Sequence, residues 1–416
     1  MWKHTLFLLL FCSVLLPAQP PERLPGQIPG DAGLKREDFG RISIPFEYEN
    51  DLIILRVVFN GTFPLRFIFD TGSEQTVLLK REVTDILQVP YVKRLPIIGS
   101  DMNTDLYALV IRNIHLRIDE LNVANYSMLV LEEDYFSFEE ATGVEVQGIL
   151  GAAVFDKYVV KIDYRTKMLT LIRPEYFKPP KSFAEIDLRI SRRKPYVDVT
   201  LQMPDSSRVK KHLLLDTGAG LPLLLHYHRD SSFTPPENWL PANIGRGLGG
   251  YLEGYVSRMG ALELGPYSLE QVLVNYQFLS EAADTSYLNM REGILGNQLL
   301  RRFTVIIDYP HKKLYLRPNR SFKTPFRYDK SGLVIMAGGK SLTEFVVKAV
   351  VPGSPADEAG ILPGDRLKWI NGRTADLWSL SGLHALFEKR SGKKIRLRIK
   401  RGEQTLKVQF RLRALL

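Results

Sequence analysis

The 416-residue sequence predicts a mainly β chain: two homologous lobes followed by a smaller α/β domain. Three observations lead there. From residue 40 the chain reads as short apolar and β-branched runs broken by turn residues. Three blocks of sequence recur at a nearly constant offset. After RPNRSFKTPF, residues 317–326, the composition turns basic and helical spacing enters.

Composition bounds the answer first. The chain is 45% hydrophobic and 25% charged, which excludes a mainly disordered, collagenous or multi-span membrane protein. Its net charge is +10, from 56 Lys+Arg against 46 Asp+Glu. Residues 325–416 hold 18 basic and 8 acidic residues, so the first 324 hold 38 of each and sum to zero. The charge belongs to the last domain alone.

The N-terminus, MWKHTLFLLLFCSVLLPAQP, has a short basic start at Lys3 and His4 and an apolar run from Leu6 to Leu16. Pro17-Ala18 offers a small-residue cleavage site. This is the pattern of a cleaved secretory signal over residues 1–18, and it predicts an exported protein of a bacterial periplasm or cell surface. The single cysteine, Cys12, lies inside that run, so the mature chain is expected to have no disulfide and to rely on its core. Residues 19–39, rich in Pro and Gly, read as a spacer or short pro-segment.

The repeat comes next. PLRFIFDTGSEQTVLL carries Asp70, Thr71, Gly72 and Ser73, and KHLLLDTGAGLPLLL carries Asp216, Thr217, Gly218 and Ala219, 146 residues later. QGILGAAVFDKYVVKIDYRTKMLTL answers EGILGNQLLRRFTVIIDYPHKKLYL, with Gly148 matching Gly293 and Asp163 matching Asp308, 145 apart. Ile98-Gly99 matches Ile244-Gly245, again 146 apart. The repeat predicts lobes over 40–175 and 190–320. The intervening stretch, 176–189, holds KPPK and reads as a linker.

Each Asp-Thr-Gly follows a strand of large apolar residues, so a buried strand delivers a carboxylate into a tight turn. Gly72 and Gly218 let the backbone turn and approach closely, and the threonine hydroxyls can donate to backbone across a pseudo-two-fold axis. Two facing lobes then bring Asp70 and Asp216 within hydrogen-bond distance. Like charges that close share one proton. One carboxylate serves as general base on a water while the protonated partner polarises a carbonyl, which is the chemistry of amide hydrolysis. A lone Asp-Thr-Gly is no more than an Asx turn; the repeated context is what raises it above that.

On these residues the chain resembles the pepsin-like and retropepsin-like aspartic proteases. FIFDTGS and LLLDTGA are similar to the family's catalytic loops, and the paired GILG blocks to the apolar signature that packs beneath them. The resemblance covers about residues 40–320. It implies two β-barrel-like lobes with a cleft between them, Asp70 and Asp216 as the catalytic dyad, and Thr71 and Thr217 as loop-locking residues. The lobes are shorter than pepsin-like ones and resemble retropepsin units fused into one chain, an expected monomer. One departure is Ala219 opposite Ser73. A Ser73 hydroxyl donating to Asp70 has no match at Asp216, which predicts a dyad that holds its proton to higher pH than a pair with Ser on both sides, and an acidward shift for Ala219→Ser.

Family enzymes close a glycine-bearing hairpin over substrate. Ile98 and Gly99 in the first lobe, and Ile244, Gly245, Gly247, Gly249 and Gly250 in the second, stand where such flaps belong. The second run also satisfies Gly-x-Gly-x-x-Gly, but it neither follows a clear strand nor opens a helix, so it fails as a dinucleotide fingerprint. No cofactor is expected. His226-Tyr227-His228 lacks further ligands for a metal, and the mature chain has no Gly-x-Ser-x-Gly elbow and no cysteine nucleophile.

VVPGSPADEAGILPGDRLKWINGR, Val350 to Arg373, marks the last domain, residues 325–416. Ser354-Pro355-Ala356 starts a short helix, Gly360 ends it, Asn371-Gly372 makes a hairpin turn, and Leu380, Leu383, Leu386 and Phe387 give a second helix one apolar face. The domain resembles PDZ domains of bacterial envelope proteases. This implies binding of a protein C-terminus by β-augmentation, with Ser331, Gly332, Leu333 and Val334 as the carboxylate-binding loop. In KRSGKKIRLRIKRG, Ile395, Leu397 and Ile399 alternate with Arg396, Arg398 and Lys400. That is a solvated strand face with no base-reading motif, so no nucleic acid is expected. Such a face can attract acidic peptides or associate with an anionic membrane surface. The sequence thus points to an exported aspartic endopeptidase acting on polypeptides. A peptide-binding scaffold that keeps both folds without catalysis is the alternative.

Overall fold

The structure is a computed structural model that describes residues 10–11, 39–98, 105–135, 138–203, 207–227, 239–247, 250–279 and 291–416. The expected signal and spacer lie outside these, apart from Phe39 and from Leu10–Phe11, which pairs in parallel with Arg246–Gly247. Among the described residues no helix is long and apolar enough to cross a membrane.

The chain is mainly β, and the two lobes repeat one plan. In the first, an eight-stranded sheet runs from Glu47–Glu49 through Leu52–Phe59, Phe63–Phe69, Gly148–Leu150, Val77–Leu78, Leu121–Leu131 and Asp105–Ile118 to Tyr91–Ile98. Leu52–Phe59 also pairs with Asp105–Ile118, which closes the sheet on itself. In the second, Lys194–Gln202, Arg208–Leu215, Gly293–Leu295, Leu223–Tyr227, Tyr267–Phe278, Gly250–Leu264 and Leu240–Gly247 follow the same order, and Lys194–Gln202 pairs back to Gly250–Leu264. The alternation of buried and solvent-facing residues sets these registers, because a slip of one residue turns every side chain to the wrong face.

A six-stranded sheet joins the lobes, in the order Ala184–Asp187, Lys313–Pro318, Phe303–Asp308, Val159–Asp163, Met168–Ile172, Arg41–Pro45. Its centre is the antiparallel pair Val159–Asp163 and Phe303–Asp308, with Val159 opposite Asp308, Lys161 opposite Ile306 and Asp163 opposite Thr304. Lys161 and Ile306 are repeat mates at offset 145, and the repeat exchanges the flanking pairs Val159–Asp308 and Asp163–Thr304, so the local two-fold passes through the Lys161–Ile306 pair. The expected linker is only partly a linker. Its residues Ala184–Asp187 form an edge strand against Lys313–Leu316, because AEID alternates and finds an open strand edge.

One apolar core runs through both lobes and the joining sheet, from Phe67 and Phe69 through Val160 and Ile162 to Leu214, Ile307 and Leu316. A second cluster, around Leu52, Ile54, Ile68, Ile97 and Val146, lies within the first lobe. The C-terminal domain has its own core. Its strands Leu333–Gly338, Glu344–Val350, Arg366–Ile370, Lys394–Arg401 and Gln404–Arg411 form one sheet with helices Pro355–Glu358 and Leu380–Phe387. Ser354 caps the first helix through its hydroxyl. Asn371 and Gly372 both take positive φ, as a two-residue hairpin of mirror-image turn requires. Ile395, Leu397 and Ile399 are buried while Arg396 and Arg398 are exposed.

Ile307 is fully buried where the lobes meet. Ile307→Ala should cost about 2–5 kcal/mol, read by urea denaturation; a loss below about 1 kcal/mol would mean that the joining sheet is not where the two lobes depend on each other.

Candidate active site

The two Asp-Thr-Gly loops meet at the lobe interface and hold each other. Thr71 N–H donates to Thr217 Oγ1 at 3.0 Å, and Thr217 N–H to Thr71 Oγ1 at 3.1 Å. Each hydroxyl in turn donates across the axis, Thr71 to Leu215 O at 2.7 Å and Thr217 to Phe69 O at 2.8 Å. Both threonines are buried, so these bonds have no water to compete with.

Asp70 and Asp216 are fully buried. Oδ1 of Asp70 accepts from Gly72 N–H at 2.7 Å and Ser73 N–H at 3.1 Å, and Oδ1 of Asp216 accepts from Gly218 N–H at 2.8 Å. Oδ2 of each takes no N–H or hydroxyl donor from the surrounding loops. Each carboxylate lies over the glycine of the other lobe. A Cβ at Gly72 would stand 2.4 Å from Asp216 Cγ, and one at Gly218 2.4 Å from Asp70 Cγ. Neither glycine has positive φ, so it is the close approach, not the turn, that requires glycine here.

The GILG blocks sit where the resemblance implied. Gly148–Leu150 pairs in parallel with Phe67–Phe69, and Gly293–Leu295 with Leu213–Leu215. They receive the aspartate amides, Asp70 N–H on Leu150 O at 3.1 Å and Asp216 N–H on Leu295 O at 2.9 Å.

The Ser73 expectation is corrected. Its hydroxyl donates to Gln75 O at 2.8 Å, and only its backbone N–H reaches Asp70. The loop curls so that the side chain meets the next turn's carbonyl rather than the carboxylate. Sequence reasoning also passed over Asn297. Buried beneath the second loop, it donates to Thr217 O and accepts from Tyr164 of the first lobe at 2.7 Å. The matching residue in the first lobe is Ala152, so this cross-lobe prop exists on one side only.

Burial pushes both carboxyls up. The neighbouring Asp216 charge raises Asp70 further, whereas contact with the Asp70 carboxyl, the Gly218 amide, Arg291 and Lys194 oppose the rise at Asp216.

Both candidate flaps are hairpins. Tyr91–Ile98 pairs with Asp105–Ile118, and Leu240–Gly247 pairs with Gly250–Leu264, with Gly245 opposite Leu252 and Gly247 opposite Gly250. Ile244 is buried. Gly99 and Gly249 lie outside the described residues.

The C-terminal loop departs from expectation. The amides of Ser331 and Gly332 donate to Asp329 Oδ1 at 2.8 and 2.6 Å, and that of Leu333 to Ser331 Oγ at 3.0 Å. A side-chain carboxylate of the chain itself takes the donors assigned to a peptide terminus. The loop continues into the edge strand Leu333–Gly338, where Val334 is buried; the Phe138–Thr142 helix of the first lobe lies against that strand. Leu333, Ser381, His384, Ala385 and Glu388 share a cavity of about 500 Å³ with Gly220, Gln298 and Arg301 of the protease lobes. Asp329 is adjacent in sequence to the expected loop, but nothing local marks it as the internal ligand.

Comparison with known proteins matches two regions of the chain. Residues 55–154 match the aspartyl protease family model and residues 346–401 the PDZ domain model. Among solved structures, an aspartic proteinase from Irpex lacteus aligns with 68% of this chain and 99% of its own, at 12% identity and a TM-score of 0.41. No curated protein matches the chain. The chain thus carries a region similar to aspartyl proteases and one similar to PDZ domains, and the first supports a peptidase.

By analogy with Ser73, a hydroxyl added at position 219 is expected to meet the carbonyl of Leu221, the repeat mate of Gln75. Ala219→Ser should therefore leave the pH–rate profile where it is, and an acidward shift would restore the carboxylate-donor role.

Proposed function

We propose that the protein is an exported aspartic endopeptidase, with Asp70 and Asp216 as its dyad. The reading is carried by one observation: the reciprocal threonine contact sets two fully buried carboxylates over each other's glycines. Two carboxylates so placed hold one proton between them, and the titration belongs to the pair. The ionised member takes a proton from water as its oxygen attacks the scissile carbonyl carbon. The protonated member gives its proton to the carbonyl oxygen. As the resulting diol collapses, one of its hydroxyls returns a proton to the ionised carboxylate, the C–N bond breaks, and the proton of the other carboxyl leaves with the amine, which restores the singly protonated pair. The buried amides on Oδ1 fix each carboxylate before substrate arrives, which lowers the reorganisation the reaction needs.

The hairpins that end at Ile98 and at Gly247 serve as flaps over an extended peptide. Residues 1–18 act as the export signal, so the enzyme works in the periplasm or at the cell surface. The PDZ domain recognises or regulates: a protein C-terminus entering its groove has to displace Asp329 from the loop amides and meets the first lobe at the edge strand.

Asp70→Asn and Asp216→Asn should each abolish cleavage of a peptide library, and a pepstatin-type inhibitor should block the wild type; cleavage persisting in either variant would refute the dyad. The raised carboxyls also link to stability. A folded-state value above the unfolded one stabilises below the ordinary aspartate range, and that stability is lost as pH rises through the raised value. Asp70→Asn should therefore melt at or above the wild-type temperature at neutral pH, with the gap narrowing in acid, as scanning calorimetry can read.

A further inference from the structure

The loops that carry the two aspartates are near copies, but their surroundings are not. Tyr196 pairs with Leu214. Carried on by two residues, that register sets Lys194 across from Asp216. In the first lobe Ile54 pairs with Ile68, and the same extension sets Leu52 across from Asp70. Leu52 is fully buried in an apolar cluster. Lys194 is only 2% exposed, and the negative charges acting on it are those of Glu74 and Asp216. A second substitution of the same kind lies beside it. Arg291, 5% exposed, stands two residues before Gly293; the residue two before Gly148 is Val146, buried in the same cluster as Leu52.

The second lobe thus carries two buried cations where the first carries Leu and Val. Burying an ammonium is costly, and the strand register sets this one across from Asp216 of the pair. We propose that Lys194 is a positioning residue that, together with Arg291, holds the negative charge of the dyad on Asp216 and leaves the shared proton on Asp70. Asp216 is then the base that takes the water proton, and Asp70 the acid that protonates the carbonyl oxygen. This rests on the aspartic peptidase reading.

The groups facing this site are few. Asp70, Arg291 and Lys194 act on Asp216; Glu74 and Arg192 act on Lys194 in addition to Arg291 and Asp216; Tyr196 acts on Arg291. Burial, with Arg291 adding to it, pushes Lys194 down to about 8, so it is charged through the acid and neutral range in which a shared-proton dyad works. Arg291 and Lys194 oppose the rise at Asp216, whereas at Asp70 the main opposition comes from the amides of Gly72 and Ser73.

The test compares wild type with Lys194→Met, Lys194→Gln and Lys194→Arg in the full chain. Two readouts are taken: kcat/KM against pH on one cleaved peptide, and the carbon-13 titration of labelled aspartate carboxyls, which needs no turnover. Loss of the cation should move the acid limb of the profile and the lower titration of the dyad to higher pH by about one unit. Lys194→Arg should keep both near wild type. Lys194→Gln preserves length and polarity and stands in should Lys194→Met not fold. A folded Met or Gln variant with both readouts unchanged would overturn the assignment, since a merely structural lysine would alter stability and not the titration. A wild type that cleaves nothing, with the titration still shifted by the variants, would refute the peptidase reading while leaving the charge placement intact.

Discussion

Everything else in the two lobes depends on one exchange of hydrogen bonds. Thr71 and Thr217 each offer an amide and a hydroxyl to the other loop. In water four such bonds would contribute little net stability; here the groups are buried, and breaking the set would strand amides and carbonyls from two loops at once. The aspartates have no freedom of their own. Their amides are pinned to Leu150 and Leu295, their Oδ1 atoms to the loop amides, and their carboxylates rest on glycines that tolerate no Cβ. The geometry that sets each carboxylate over the other lobe's glycine is thus a consequence of the threonine contact.

That contact needs the lobes in fixed register, which the joining sheet supplies. With Lys161 opposite its repeat mate Ile306 and the flanking pairs exchanged by the repeat, the sheet repeats the symmetry of the loops. Core residues from both lobes pack on it as one cluster. The strand Ala184–Asp187, first read as linker, extends the sheet at its edge.

Much of this was legible in the sequence, and the reason is the duplication. FIFDTGS and LLLDTGA, GILGAAV and GILGNQL carry their meaning twice, so local coincidence could be set aside. The last domain was legible through turn and capping chemistry, at Ser354, Gly360 and Asn371-Gly372. What could not be read were contacts made by side-chain direction. Ser73 has a hydroxyl three residues after Asp70, yet the turn sends it to Gln75. Asp329 is one more acidic residue in a loop until the fold curls three amides around it and Ser331. Lys194 follows two arginines and reads as part of an exposed basic turn; only the strand register sets it opposite Asp216. Asn297 was visible as the residue after GILG, but Tyr164, its partner, lies 133 residues away.

The fusion of the two lobes has a consequence for what chemistry is open to the chain. When two identical subunits face each other, every substitution is made on both sides of the axis, and a charge placed beside one carboxylate is placed beside the other. Neither can then be told from its mate before substrate binds. A single chain escapes that restriction: the residues on the axis, Thr71 and Thr217, stay alike, while Leu52 and Lys194, or Ala152 and Asn297, diverge independently. Division of labour between acid and base can thus be written into the resting protein rather than imposed by each substrate as it arrives.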